Sequence, residues 1–387
     1  MRRVFVVSSS MTKVGRHFDK GLIDLAAEAL WKAIDEVNIE PEAIIVGNML
    51  SSSLQHQDNL GAYIASSIGF RLKPALKVEA ACGSGGVAVY TAYALVASGL
   101  VKTAAVIGVE KMTDYPTAIV SKALAQAADA EYELFYGSSF TGLSALMMRY
   151  YMVKYNVSRR ELSMWPVQMH EYALKNPYAQ IKRRITVEDV ESSPTIADPI
   201  KLLDSSPISD GAAALILASE DVVSKFGLKD DALVEIAGVG LAVDTVELSN
   251  RVELDIIPSA IEAARQAYKM AHLEPKDIDV VELHDAFTIH AMLLLEALGF
   301  SGRGEAAKLY ATGRFRLGDQ PVVNPSGGLK ARGHPVGATG VYQVAEIHQQ
   351  LKGIFPGVKV ENAQTGLACN MGGDGASTSV IILRRVS

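Results

Sequence analysis

Cysteine is almost missing from this chain: Cys82 and Cys369 are the only two in 387 residues. Two cysteines cannot build a disulfide framework, they suit a reducing compartment, and no CxxC pair offers zinc-ligand spacing. An excess of positive charge is missing too. The chain has 37 Lys and Arg against 43 Asp and Glu, a net charge of -6, whereas phosphate-backbone binding calls for clustered basic residues. Nucleic acid is therefore set aside as a partner. The opening Met1–Ser8 is too short an apolar stretch for a secretory segment. Ala80–Val101 carries no charge and is long enough to cross a bilayer. Its start, Ala81-Cys82-Gly83-Ser84-Gly85-Gly86, reads instead as a strand-to-helix turn. The expectation is a helix buried in a large α/β protein, with no membrane contact and a cytoplasmic location. Nucleotide fingerprints are absent as well. Gly238-Val239-Gly240 has no third glycine, and Asn324–Gly340 lacks the closing Gly-Lys-Ser/Thr of a phosphate loop.

What is present supports a large core. Hydrophobic residues make up 49% and charged residues 21%, and the length exceeds a usual single domain. A repeat organises the chain. Leu22–Leu30 forms an amphipathic helix, Glu40-Pro41-Glu42 a turn and Ala43–Gly47 a buried strand. Pro258–Ala264, Glu274-Pro275-Lys276-Asp277 and Ile278–Leu283 repeat that order. Asp210–Leu217 is likewise echoed by Asp374–Ile381, each a closing strand entered from a Gly turn. Strands at Val4–Ser8 and Leu233–Val239 open the two units. Helices alternating with short apolar strands predict mixed α/β sheets covered on both faces. The halves are expected at 1–231 and 232–387. An excursion of helices and loops over about Met112–Asp204 interrupts the first and is suited to cover a large substrate. In it, Lys182-Arg183-Arg184 is either a solvated face or a phosphate contact.

Several residues could carry chemistry. Cys82 stands at the glycine-rich turn after the strand Ala75–Ala80. A helix N-terminus there lowers a thiol's pKa and can bind an oxyanion, although an inert buried cysteine fits the local sequence equally well. His334, clasped between Gly333 and Pro335, suits a positioned acid or hydrogen-bond donor. His284-Asp285-Ala286-Phe287 follows a buried strand, where α/β folds place ligands; Asp285 capping the next helix is an equal reading. Cys369 leads into a second Gly turn, Gly372-Gly373-Asp374-Gly375.

These motifs, in this order along nearly the whole chain, resemble the thiolase superfamily. Cys82-Gly83-Ser84-Gly85 is similar to its nucleophile motif, and Gly333-His334-Pro335 with Gly337-Ala338-Thr339-Gly340 to its histidine loop. His284-Asp285-Ala286-Phe287 occupies the place of its Asn-Glu-Ala-Phe segment. With Asn324-Pro325-Ser326-Gly327-Gly328, it resembles the sterol-carrier-protein-type and archaeal branch. Counting back from Gly372, Cys369 falls on the family's second catalytic cysteine. There the family's Cys-x-Gly reads Cys369-Asn370-Met371, without the glycine.

The resemblance implies two duplicated halves with mixed five-stranded sheets in an αβαβα arrangement, plus an inserted loop region. It implies ping-pong acyl transfer with Cys82 as nucleophile, His334 as its base and Cys369 as α-proton base. His334 and a water held by His284 would stabilise the enolate oxygen, and the backbone N–H groups of Cys82 and Met371 would form the oxyanion hole for the thioester. Ser206, Phe287 and Arg183 are expected substrate contacts. The implied activity is acetyl-CoA C-acetyltransferase, making acetoacetyl-CoA at the entrance of the mevalonate route. A degradative 3-ketoacyl-CoA thiolase of broader chain length and a non-catalytic or aldolase-associated thiolase-like partner subunit are the alternatives. CoA thioesters are substrates, and neither metal nor prosthetic group is implied. Expected assemblies are a homodimer or homotetramer, and a complex with hydroxymethylglutaryl-CoA synthase through a small zinc-ribbon/OB-fold protein.

Overall fold

The computed structural model describes residues 2–228 and 233–386. Ten strands carry the fold: β1 (Val4–Met11), β2 (Ala43–Gly47), β3 (Ala75–Val78), β4 (Thr103–Glu110), β5 (Gly211–Ser219), β6 (Leu233–Val243), β7 (Val280–Leu283), β8 (Val322–Val323), β9 (Thr365–Gly372) and β10 (Ser377–Val386). Their order is β8-β7-β9-β10-β6-β1-β5-β4-β2-β3. Adding five to each strand of β3-β2-β4-β5-β1 gives the other half. The directions repeat as well: β2 pairs in parallel with β3 and β4, as β7 does with β8 and β9, and the other pairings are antiparallel. The duplication seen in the sequence is thus a duplicated topology. The two five-stranded sheets are joined, however, because Phe5 and Val6 of β1 pair with Glu235 and Val234 of β6. The expected boundary at 231/232 lies outside the described residues.

The helices divide into outer and inner ones. Helix α1 (Leu22–Val37) buries Leu22, Leu25, Ala26, Ala29, Leu30, Ala33 and Ile34, the one-sided spacing of a helix lying on a sheet. It covers β1, β5 and β4. Its counterpart in the second half, at Pro258–Ala271, lies on β6 and β10. A Cβ on Gly238 or Gly240 of β6 would collide with the carbonyls of Ala267 and Ala263. The Gly-Val-Gly segment is thus a close helix–strand contact. Between the sheets run α2 (Ser84–Ser98) and a helix at Thr339–Leu351, packed on each other and on strands of both halves. The uncharged stretch that could span a membrane is α2, with Ala88, Val89, Ala92 and Val96 buried in this shared core.

The excursion holds α3 (Phe140–Tyr155), α4 (Arg159–Ala173), shorter helices and a small hairpin at Thr195–Lys201. In chain order α5 is then Pro258–Ala271, α6 is Thr288–Ala297 and α7 is Thr339–Leu351.

Candidate active site

Inner helices α2 and α7 bring the candidate residues together. Their first turns cross at glycines: a Cβ on Gly85 would sit 2.8 Å from the Gly340 nitrogen, and one on Gly340 would strike the Gly86 nitrogen. Only two backbones lacking side chains can approach so closely. The turn before α2 carries Cys82 and the turn before α7 carries His334, so one crossing sets both.

The Cys82 elbow is strained and stapled. Ala81 takes a left-handed φ of 51°, which costs a non-glycine residue roughly 1–2 kcal/mol. Ser84 Oγ accepts from Ala80 N (2.9 Å) and donates to the Ala81 carbonyl (2.6 Å). The His334 turn is held by Ser209 Oγ, which accepts the His334 N–H at 2.9 Å. Arg332, fully buried and paired with Glu346 at 3.0 Å, donates through Nη1 to the Gly333 carbonyl. Glu110 accepts from Met49 N and Leu50 N of the first half and from Gly337 N of the second. It thereby ties the segment after β2 to the loop that follows His334.

His284 directly follows β7 and faces His334 edge to face, ring centres 5.0 Å apart at 88°. Cys82 Sγ and one nitrogen of each ring lie within 4.8 Å of one another. Asn370 braces the group. Its Oδ1 accepts from Gly86 N at 3.0 Å; because a backbone N–H only donates, this contact fixes the amide's orientation. Nδ2 then donates to the Cys82 carbonyl (3.2 Å) and to His284 Nδ1 (3.1 Å). His284 in its neutral form therefore carries its hydrogen on Nε2. His334 is assigned in the opposite sense. The Pro335 carbonyl takes the hydrogen of Thr339 Oγ1 (3.1 Å), so that hydroxyl accepts His334 Nδ1–H (2.7 Å) and leaves a lone pair on Nε2. One ring offers a donor and the other a base.

Burial keeps all three groups uncharged. It depresses the His334 pKa to about 3, helped by the Arg332 charge and His290. It holds His284 well below the usual histidine range, with His334 next in effect. Cys82 opens onto a cavity, yet enclosure by protein, then Glu110 and Asp374, pushes its thiol up to about 12. The lowering expected from the helix terminus is outweighed. A thiol and a neutral imidazole face each other at rest, so the thiolate forms as attack proceeds. The three atoms could also close on a metal, as a set of one thiolate and two imidazoles. With the Nε2 of His284 occupied by hydrogen, acid–base and acyl chemistry fit the donors better.

Three expected residues, Cys369, Met371 and Arg183, are not placed as the sequence suggested. Cys369 lies on β9, where successive side chains face opposite ways. Leu367, Cys369 and Met371 are buried with α5 and α6 in the outer core, while Asn370 points inward to Cys82 and His284. Reading the motif one residue later, as Asn370-Met371-Gly372, restores the missing glycine, with asparagine in the cysteine's place. Met371 N, expected in the oxyanion hole, is directed at His284 Nδ1 at 3.4 Å. Gly372 N instead lies beside Gly83 of the elbow. Asp285 does not cap α6, whose N-cap is Phe287. Its carboxylate takes hydrogen bonds from Trp165 Nε1, Asn324 Nδ2 and Leu329 N, and burial raises its pKa to about 6.

The cavity, about 270 Å³, is lined by Cys82, His284 and His334 together with Ser206, Phe287 and His290. The excursion adds Phe140, Ile196 and Leu202 to the wall. Arg183 is exposed and outside this lining; its carbonyl accepts a hydrogen bond from His170 Nδ1. Asn370, Thr339 and Arg332 were overlooked as functional residues. The displaced glycine was the one signal pointing to Asn370.

Residues 4–221 match the family Thiolase, N-terminal domain, and residues 240–385 match Thiolase C-terminal domain-like. The chain is 42% identical to an acetyl-CoA acetyltransferase of Methanothermobacter thermautotrophicus over all of both chains. It is 34% identical to human sterol carrier protein 2, over 97% of this chain and 71% of that one. It superposes on a solved Ltp2-ChsH2(DUF35) aldolase with a TM-score of 0.84 at 23% identity, covering 99% of this chain and 97% of the other.

Proposed function

This chain belongs to the thiolase family, and we propose that it is an acetyl-CoA C-acetyltransferase, joining two acetyl-CoA into acetoacetyl-CoA and CoA and running the reverse thiolysis. The observation that carries the reading is the Cys82–His284–His334 cluster on the wall of a cavity. Its support in sequence is a full-length relative of that activity.

In the first half-reaction His334 Nε2 takes the thiol proton as Cys82 Sγ attacks the thioester carbonyl of acetyl-CoA. The C–S bond to CoA breaks, and His334 returns the proton to the leaving thiolate. The tetrahedral oxygen is held by the backbone N–H groups of Cys82 and Gly372. Acetyl-Cys82 then awaits a second acetyl-CoA, whose deprotonated methyl carbon displaces Cys82. Ser206 and Phe287 contact the acyl-CoA along the cavity, and Arg183, outside it, reaches the phosphates.

The proposal extends to assembly: a homodimer or homotetramer, docked to hydroxymethylglutaryl-CoA synthase through a small zinc-ribbon/OB-fold protein. That the solved aldolase relative is itself paired with a DUF35 protein supports a partner surface on this fold.

Brief incubation with acetyl-CoA, acid quench and mass spectrometry of a digest should find the acetyl group on Cys82. Acetoacetyl-CoA plus CoA should turn over faster than longer 3-ketoacyl-CoA. Absence of acetyl-Cys82 rejects the reading; a preference for long chains turns it into a degradative thiolase.

A further inference from the structure

We infer that His334 is the base for both half-reactions: it activates Cys82, and it also removes the α-proton of the second acetyl-CoA, with no part played by the second cysteine. This rests on the acyl-transfer reading above.

The inference follows from what can reach the acetyl methyl. Cys369 Sγ is fully buried on the outer face of β9, among side chains of α5 and α6. The sheet itself separates it from the cavity. The inward position is held by Asn370, whose amide is no base at any ordinary pH. Among the described residues no Asp or Glu lines the cavity. Two carboxylates lie behind the wall, outside its lining: Glu110 is held by Asn48, Met49, Leu50 and Gly337, and Asp374 Oδ1 by Ser144 and His290, with Oδ2 buried and unpartnered. His290 is on the wall, its Nε2 bound to Asp374 Oδ1 and its Nδ1 buried without a hydrogen-bond partner, but it is not one of the groups that close within 4.8 Å around Cys82 Sγ, as His334 is. His284 presents Nε2–H, a donor. The Nε2 lone pair of His334 remains.

The proton balance closes on that one nitrogen. At the end of the first half-reaction His334 has passed the Cys82 proton to CoA and is neutral again. It then takes a proton from C2 of the second acetyl-CoA; the C–H bond breaks, an N–H bond forms, and the electron pair moves onto the thioester oxygen. His284 Nε2–H, opposite, stabilises that enolate oxygen directly or through one water. The enolate carbon attacks the acetyl-Cys82 carbonyl, a C–C bond forms and the C–S bond to Cys82 breaks. The departing Cys82 thiolate takes the proton back from His334. Each half-reaction thus loads and unloads the same ring once.

Deuterium exchange isolates the step. Cys82→Ala cannot be acylated, so incorporation of deuterium from solvent into the methyl group of acetyl-CoA, read by mass spectrometry, reports α-proton transfer alone. Exchange should persist in Cys82→Ala and be unchanged on adding Cys369→Ala. It should fall by about 10²–10⁴-fold on adding His334→Asn, the usual loss for a general base. Thermal melts check that each variant is folded. Exchange that needs Cys369, or that survives His334→Asn and fails with His290→Asn, overturns the inference. So does a wild type that acetylates Cys82 while Cys82→Ala shows no exchange. A wild type with no acetyl-Cys82 fails the acyl-transfer reading instead.

Discussion

Asn370 decides which hydrogen His284 offers, and one substitution can reverse it. In Asn370→Asp the carboxylate has no hydrogen to donate and draws the hydrogen of His284 onto Nδ1, against the longer 3.4 Å contact that Met371 N–H makes to that nitrogen. Nε2 then turns a lone pair toward the enolate oxygen. Condensation should fall by about 10²–10³-fold, the usual loss of one oxyanion donor. Acetylation of Cys82 depends on His334 and should change far less. Rapid-quench measurement of the two half-reactions checks this; an equal loss in both would show that Asn370 merely supports the elbow through Gly86 and the Cys82 carbonyl. At this scale most of the site was legible. Cys82, His334 and His284 stand out because glycine, proline and strand ends mark the turns that hold them. Cys369 misled because counting back from Gly372 set the motif one residue early, and on a strand a slip of one residue reverses the face. The thiol's resting state was also hidden. Helix position argued for a lowered pKa, and only the packed surroundings reveal that burial pushes it to about 12.

At the scale of elements, catalysis depends on where two helices cross. The first turns of α2 and α7 touch through Gly85, Gly86 and Gly340, and each helix carries its catalytic residue on the turn just before it. A methyl at Gly340 meets the Gly86 backbone and the Asn370 side chain. Backbone cannot yield as a flexible side chain can, so the helices must part and Cys82 must move from His334. Overpacking of this kind typically costs ~1–3 kcal/mol. Gly340→Ala should therefore stay folded with a lowered melting temperature, while kcat falls much more than KM rises. Steady-state kinetics beside thermal melts checks this. Unchanged kcat would mean that the crossing does not set the distance between thiol and imidazole. The helices themselves were legible from apolar spacing, and the second-half glycines were visible. What those glycines touch was not, since Gly238 and Gly240 answer Ala267 and Ala263 on the next helix and Gly340 answers a residue of the opposite half.

The whole molecule is two copies of one topology whose central layer belongs to neither. The repeat was legible from its helix–turn–strand echoes, because both copies kept the same punctuation and apolar spacing. The joining of the sheets at β1 and β6 was not, since pairing between distant edges leaves no local pattern. The core around α2 and α7 takes Val6 and Ile45 from the first half, and Ile236, Ile381 and Val341 from the second. Each copy alone leaves the inner face of its own central helix uncovered and half of this core missing. The chain should therefore unfold in one cooperative transition, with far-ultraviolet circular dichroism and Cys82 accessibility to a thiol reagent changing together. A first half cut near residue 231 should retain helix signal but lack fixed tertiary packing and bind hydrophobic dyes. Adding the second half should restore both packing and Cys82 acetylation, because neither half holds Cys82 and His334 together. Two separated transitions in the full chain, or a first half that melts cooperatively alone, would contradict a shared core. In that case the active site would be an interface between independent domains, and substrate affinity should track their docking rather than the stability of either.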